Sequence, residues 1–286
     1  MAGEIVSTTG TLDDLLAPIV QEAMFVASER SVMRNLVKTF AVPRNAGKVL
    51  QVPIYPAQTA TALTEADDIT LGAISTSKKD IILSEVGIGT NVSDLSLNFS
   101  SSNVIADLGK LFGEAVAKKM DQDLTALFAG FSTFALGNAT DTQTEMEAKH
   151  LFAAAAKLKN AGVPGPYFGV FNPASIFNMK KVMTSTFVPQ GNTGVVNEAM
   201  TEGYVGRIAG IDIFESSNVV ADSATSCVNG VFARDALGLA MGQEISIKTQ
   251  RDESARATEV ICTATYGVKE LHDSYGVQVV ADATIS

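Results

Sequence analysis

The clearest periodic pattern in the chain runs from Ser101 to Gly130. Val104, Leu108, Leu111, Phe112, Ala115, Met120, Leu124 and Leu127 recur at helical spacing, with Asp107, Lys110, Glu114, Lys118 and Asp121 on the opposite side. Candidate caps at residues 101–103 and a stop at Gly130 predict one helix of some 26 residues, roughly 39 Å long at ~1.5 Å per residue. Such a rod is a spine on which other elements can lie. A second helix is predicted over 145–160, closed by Gly162 and Pro164, and a third begins at Asn172-Pro173. Strand patterns occupy Lys48–Tyr55, Lys78–Val86, Tyr167–Phe171, Gly230–Met241, Glu244–Gln250, Glu259–Val268 and Tyr275–Val280. The first forty residues read as helix in two pieces around Pro18, the second reaching about Lys38 and stopping by Val42-Pro43.

Two stretches depart from these periods. Residues 57–76, between two strand patterns, hold Leu63, Ile69, Leu71 and Ile74 as their only large apolar side chains and Glu65, Asp67 and Asp68 as their only charges. A loop of that length in a compact domain is functional or binds a partner, so a hairpin reaching away from its own domain is predicted. Residues 203–219 place Gly203, Gly206 and Gly210 among β-branched and aromatic residues, a strand-turn-strand unit without histidine or cysteine.

Composition narrows the function. Of 286 residues, 46% are hydrophobic and 18% charged, which excludes a disordered chain and leaves uncharged surface better covered by neighbours. The net charge of −10 opposes a protein that tracks a nucleic-acid backbone. No apolar run approaches a membrane span and the N-terminus lacks a signal-peptide pattern, so synthesis and residence in the cytoplasm are expected. Cys227 and Cys262 read as buried apolar residues of a reduced protein. His150 reads as a half-buried helix residue. His272, next to Asp273 and Ser274, cannot form a triad, because adjacent side chains in a turn do not converge, and there is no GxSxG. Asp67-Asp68, Asp121-x-Asp123 and Glu145-x-Glu147 read as solvated pairs, not metal ligands. No catalytic, cofactor or metal residue is assigned.

Helical arm, extended hairpin, spine helix, central mixed region and closing strands, in that order over nearly the whole chain, resemble the major capsid proteins of tailed bacteriophages, the Hong Kong 97-type fold. The residues that carry the likeness are the 203–219 unit, the closing Tyr-Gly-Val pieces at Tyr266 and Tyr275, and Ser31, Arg34, Leu36, Pro43 and Gly47 at the entry to the hairpin. The resemblance implies an α+β fold divided into an N-terminal arm (1–43), an extended loop or E-loop (44–85), a peripheral domain (86–144) with its spine at 101–131, an axial domain (145–226) and return strands of the peripheral domain (227–286). It implies Gly203, Gly206 and Gly210 as an inter-domain turn. With the loop reading, it makes Leu63, Glu65, Asp67, Asp68 and Ile69 inter-subunit contacts. It also implies a homo-oligomer of hexamers and pentamers forming an icosahedral virion shell around double-stranded DNA held without specific binding. A portal protein, a cement or decoration protein and assembly in the host cytoplasm would go with it. The N-terminal scaffolding segment that some members of that family carry is not seen before the arm: either a separate scaffolding protein helps assembly or a precursor was trimmed, and the first is expected. An encapsulin-type nanocompartment shares the fold and is the alternative; a tail-tube protein would not explain the spine, and a hydrolase lacks its nucleophile signature.

Overall fold

The computed structural model describes residues 31–43, 47–56, 58, 60, 62, 73–95, 104–137, 144–186, 206–219 and 226–285. Along the chain these form one helical turn α1 (Met33–Leu36), strands β1 (Lys38–Ala41), β2 (Val49–Ile54), β3 (Ser77–Ile82) and β4 (Ser84–Ser93), and helix α2 (Val104–Ala126), extended by a 3-10 turn at Leu127–Gly130. Then follow β5 (Phe134–Leu136), α3 (Ala148–Asn160), β6 (Tyr167–Phe171), α4 (Pro173–Thr186), β7 (Arg207–Ile208) and β8 (Ile211–Glu215). The last strands are β9 (Ser226–Ala233), β10 (Leu237–Asp252), β11 (Ala257–Glu270) and β12 (Gly276–Asp282).

The strands make three sheets: β1-β10-β11-β4, β5-β12-β9-β6-β8-β7, and the isolated pair β2-β3. Period-two alternation gives the six-stranded sheet two apolar faces. Tyr167, Phe171, Val231, Val277 and Val279 turn to one side and meet Leu151, Leu158, Ile176 and Met179 of α3 and α4. Val170 and Phe232 turn to the other and meet Phe128 and Phe131 at the end of α2, together with Met33, Leu36 and Tyr266. The N-terminal half of α2 instead lies on the four-stranded sheet, with Phe112 and Val116 against Val260, Cys262 and Ala264. One helix thus fastens both sheets. The fit at its end depends on glycine: a Cβ on Gly230 would stand 2.6 Å from the Phe128 ring, and one on Gly276 would collide with Phe131.

The sequence reading needs several corrections. The spine helix runs from Val104 to Ala126, and its last turn tightens to a 3-10 helix. Asp121, expected in solvent, is fully buried, whereas Leu111, expected in the core, is 58% exposed. The strand expected over 78–86 is two strands: Leu83 separates β3, paired with β2, from β4, paired with β11. Residues 38–41, assigned to helix, form β1 beside β10. The strand expected over 230–241 is broken by a 3-10 turn at Arg234–Ala236, where the chain leaves one sheet for the other. For the same reason residues 227–286 do not return as one set. β10 and β11 join the four-stranded sheet, while β9 and β12 pair with β6 and β5 in the six-stranded one.

Candidate assembly surfaces

The hairpin β2-β3 pairs Val49 with Ile82, Leu50 with Ile81 and Val52 with Lys79. Strand alternation therefore divides its side chains between two faces. Leu50, Val52 and Ile81 pack with Val42, Leu83, Ala240 and Leu271 at the margin of the four-stranded sheet. Val49 and Ile82 stand together on the opposite face, 44% and 61% exposed, with Tyr55 at 69% just beyond β2. The base is closed by Leu83 N–H donating to the Lys48 carbonyl at 2.9 Å. A two-stranded ribbon is marginal by itself, and among the described residues this one is held by one face near its root.

Of the contact residues expected from the sequence, Leu63, Glu65, Asp67, Asp68 and Ile69 lie outside the described residues, as does Gly203. Gly206 and Gly210 are placed. Ala209 and Gly210 have φ of 56° and 87°, the two positive values that a two-residue hairpin turn requires. They join β7 to β8, across which Arg207 and Asp212 pair at 3.2 Å. Gly210, with Ala209, thus turns the chain at the outer edge of the six-stranded sheet, and Gly206 stands just before β7. After β8 the chain also meets α2, where the Thr125 hydroxyl donates to the Asn218 carbonyl at 3.1 Å.

Asp121, on the same side of α2, accepts four hydrogen bonds: from Ser31 Oγ at 2.7 Å, Val32 N at 3.1 Å, Met33 N at 3.3 Å and Asn218 Nδ2 at 3.4 Å. Burial pushes its carboxyl above the usual range, against the pull of those donors. The sequence pattern hides this burial, because a charge on a helix reads as solvent-facing.

Both histidines and both cysteines, all among the described residues, sit in structural settings. The His150 ring nitrogen Nδ1 accepts from Glu147 N at 3.0 Å at the start of α3, and burial lowers its pKa. The His272 ring stacks on Tyr275 with centroids 4.7 Å apart; burial lowers its pKa as well. Cys227 lies 2.9 Å from Ser175 Oγ within a buried network with Asn229; burial raises both thiols, Cys262 to about 11. Tyr266 donates to Asp123 at 2.7 Å. Among the described residues no group of three or more His, Cys, Asp or Glu could hold a metal ion, and no helix is long and apolar enough to cross a membrane.

Residues 76–280 match the family described as phage capsid protein. No curated protein matches the chain. Among solved structures, the acid-stable capsid of Helicobacter pylori bacteriophage KHP30 aligns with a TM-score of 0.70 at 10% identity, over 89% of this chain and 92% of that one. Mycobacterium phage Che8 aligns at 0.67 and 20% identity, over 87% and 90%. The virus-like particle of Pyrococcus furiosus aligns at 0.60 and 11%, over 92% and 98%. At these identities the likeness is one of fold.

Proposed function

The chain belongs to the phage capsid protein family, and from that premise we propose how its copies are joined. It is a structural major capsid protein of the Hong Kong 97-type fold, a component of the virion that assembles with other copies into a shell. The family match favours a phage shell over the encapsulin-type compartment, which the fold alone would also allow.

In the proposed arrangement the β2-β3 hairpin, with residues 57–76 beyond it, is a clasp laid on a neighbouring copy. The observation that supports this is the open apolar face of the hairpin, Val49, Ile82 and Tyr55, which the subunit's own core leaves bare. Leu63 and Ile69 would extend that apolar contact, and Glu65, Asp67 and Asp68 would meet basic side chains of the neighbour. Residues 1–43 would serve as arm and 44–85 as extended loop. The four-stranded sheet with α2 would form the peripheral region, and the six-stranded sheet with α3 and α4 the axial region. Hexamers and pentamers of this subunit would enclose double-stranded DNA without a specific site for it, in keeping with the charge of −10. A portal, a separate scaffolding protein and a decoration protein would complete the particle, assembled in the host cytoplasm.

Replacing residues 57–76 by a short Gly-Ser turn tests the clasp. The expected result is a subunit with unchanged circular dichroism and thermal midpoint that builds no closed shells under electron microscopy. Normal shells from this variant would exclude the clasp, and an unfolded subunit would place the segment in its own core.

A further inference from the structure

Asp121 raises a question that shell-building does not answer: why a carboxylate, fully buried in the middle of the longest helix, has been kept. Each of its four partners is a donor, two of them backbone N–H groups, so the arrangement suits an ionised carboxylate and not its protonated form. Among the described residues no cation is bonded to it. Arg34 of α1 is engaged with Glu244 at 3.3 Å, Asp123 of α2 takes Lys119 and Tyr266, and Lys118 and Glu215 are exposed. None of them figures among the groups that shift Asp121.

The bonds also join parts of the chain that nothing local connects. Two of the donors are the backbone N–H groups of Val32 and Met33, where the N-terminal segment enters the described fold; Ser31 Oγ, itself bonded to Asp121, accepts from Arg34 N at 3.4 Å. The fourth donor, Asn218, follows β8, and Asn172 at the head of α4 holds the next residue through the Val219 carbonyl at 2.8 Å. The carboxylate caps α1 from a different element, in place of a side chain on α1's own N-cap residue, Val32, which makes no capping bond.

We propose that Asp121 is a charge-dependent latch on the root of the N-terminal segment. Its carboxylate holds residues 31–33 against α2, and loss of the charge frees that root without loosening the core. The two effects separate because their signs oppose. A buried carboxyl whose folded-state pKa is raised contributes stability at low pH that is lost as pH rises through that pKa, so neutralising it favours the core. The bonds to the Val32 and Met33 N–H groups weaken at the same time, because a neutral acceptor is a poorer partner than a carboxylate. The purpose assigned to the latch, setting the arm's path toward neighbouring copies, rests on the shell reading; the latch itself does not.

Hydrogen exchange on the unassembled full chain tests it apart from assembly. In Asp121→Asn, peptides over residues 31–37 should exchange about tenfold faster at neutral pH, while β11 keeps its protection and the thermal midpoint does not fall. Acidifying the wild type, with intrinsic exchange rates corrected, should produce the same local rise, and Asp121→Asn should show no such pH step. Ser31→Ala, which keeps the charge and loses one donor, should give a smaller rise and retain the step. Wild-type protection of 31–37 in Asp121→Asn overturns the proposal. So does failure of that variant to fold, or acceleration of 31–37 and β11 together with a lower midpoint, either of which makes Asp121 an ordinary structural residue.

Discussion

The contact between Gly230 and Phe128 offers a quantitative test of how the spine is fastened to the six-stranded sheet. A methyl group added at Gly230 would lie 2.6 Å from two atoms of the Phe128 ring and 2.9 Å from a third. Phe128 cannot swing aside: it is fully buried, with Phe232 at 5.5 Å and Phe131 at 6.2 Å between ring centroids. Overpacking of this kind costs about 1–3 kcal/mol, offset by roughly 0.4–1 kcal/mol from the lower entropy of the unfolded alanine chain. Gly230→Ala should therefore destabilise the subunit by about 1–2 kcal/mol, a fall in thermal midpoint of roughly 2–6 °C. Phe128→Leu shortens the ring out of the way and should cost about 1–2 kcal/mol alone, less than the roughly 3–5 kcal/mol of full truncation. Because the two side chains compete for one space, the double variant should be more stable than the sum of the singles by about 1 kcal/mol. Urea unfolding of unassembled subunits, followed by circular dichroism, measures all four corners of the cycle. Strictly additive costs, or a Gly230→Ala variant as stable as the wild type, would show that α2 does not press on the sheet at this point.

Two further outcomes follow from the placed and expected residues. Replacing both His150 and His272 by glutamine should leave shells of normal morphology. Both folded-state pKa values are lowered, so their stabilising contribution is present above the ordinary imidazole pKa of about 6.5 and lost as pH falls through the folded values; the double variant should lose that part of the wild type's acid sensitivity, read as midpoint against pH. Reversing Asp67 and Asp68 to lysine should weaken assembly in a salt-dependent way, read by light scattering at rising ionic strength; assembly indifferent to the reversal would remove those carboxylates from the interface.

Sequence periodicity was sufficient for whatever is local. The long helix, β6 at Tyr167–Phe171 and the cap at Asn172, whose Oδ1 accepts from Ala174 N at 2.9 Å, follow from neighbours within a few positions. The order of elements carried the resemblance to phage capsid proteins, and absent catalytic signatures pointed to work done by surfaces. What only the tertiary structure decided is pairing and exposure between distant segments. β1 looked helical because its four residues become a strand only beside β10, two hundred positions later. The 230–241 run looked continuous because both halves are equally apolar, and nothing local says that Arg234–Ala236 carries the chain from one sheet to another. Leu111 and Asp121 exchange their expected places for the same reason. A helical repeat marks an apolar side, but what covers each turn of it is settled elsewhere: Asp121 is buried because Ser31, Val32, Met33 and Asn218 bring it four donors from segments about ninety positions away on either side.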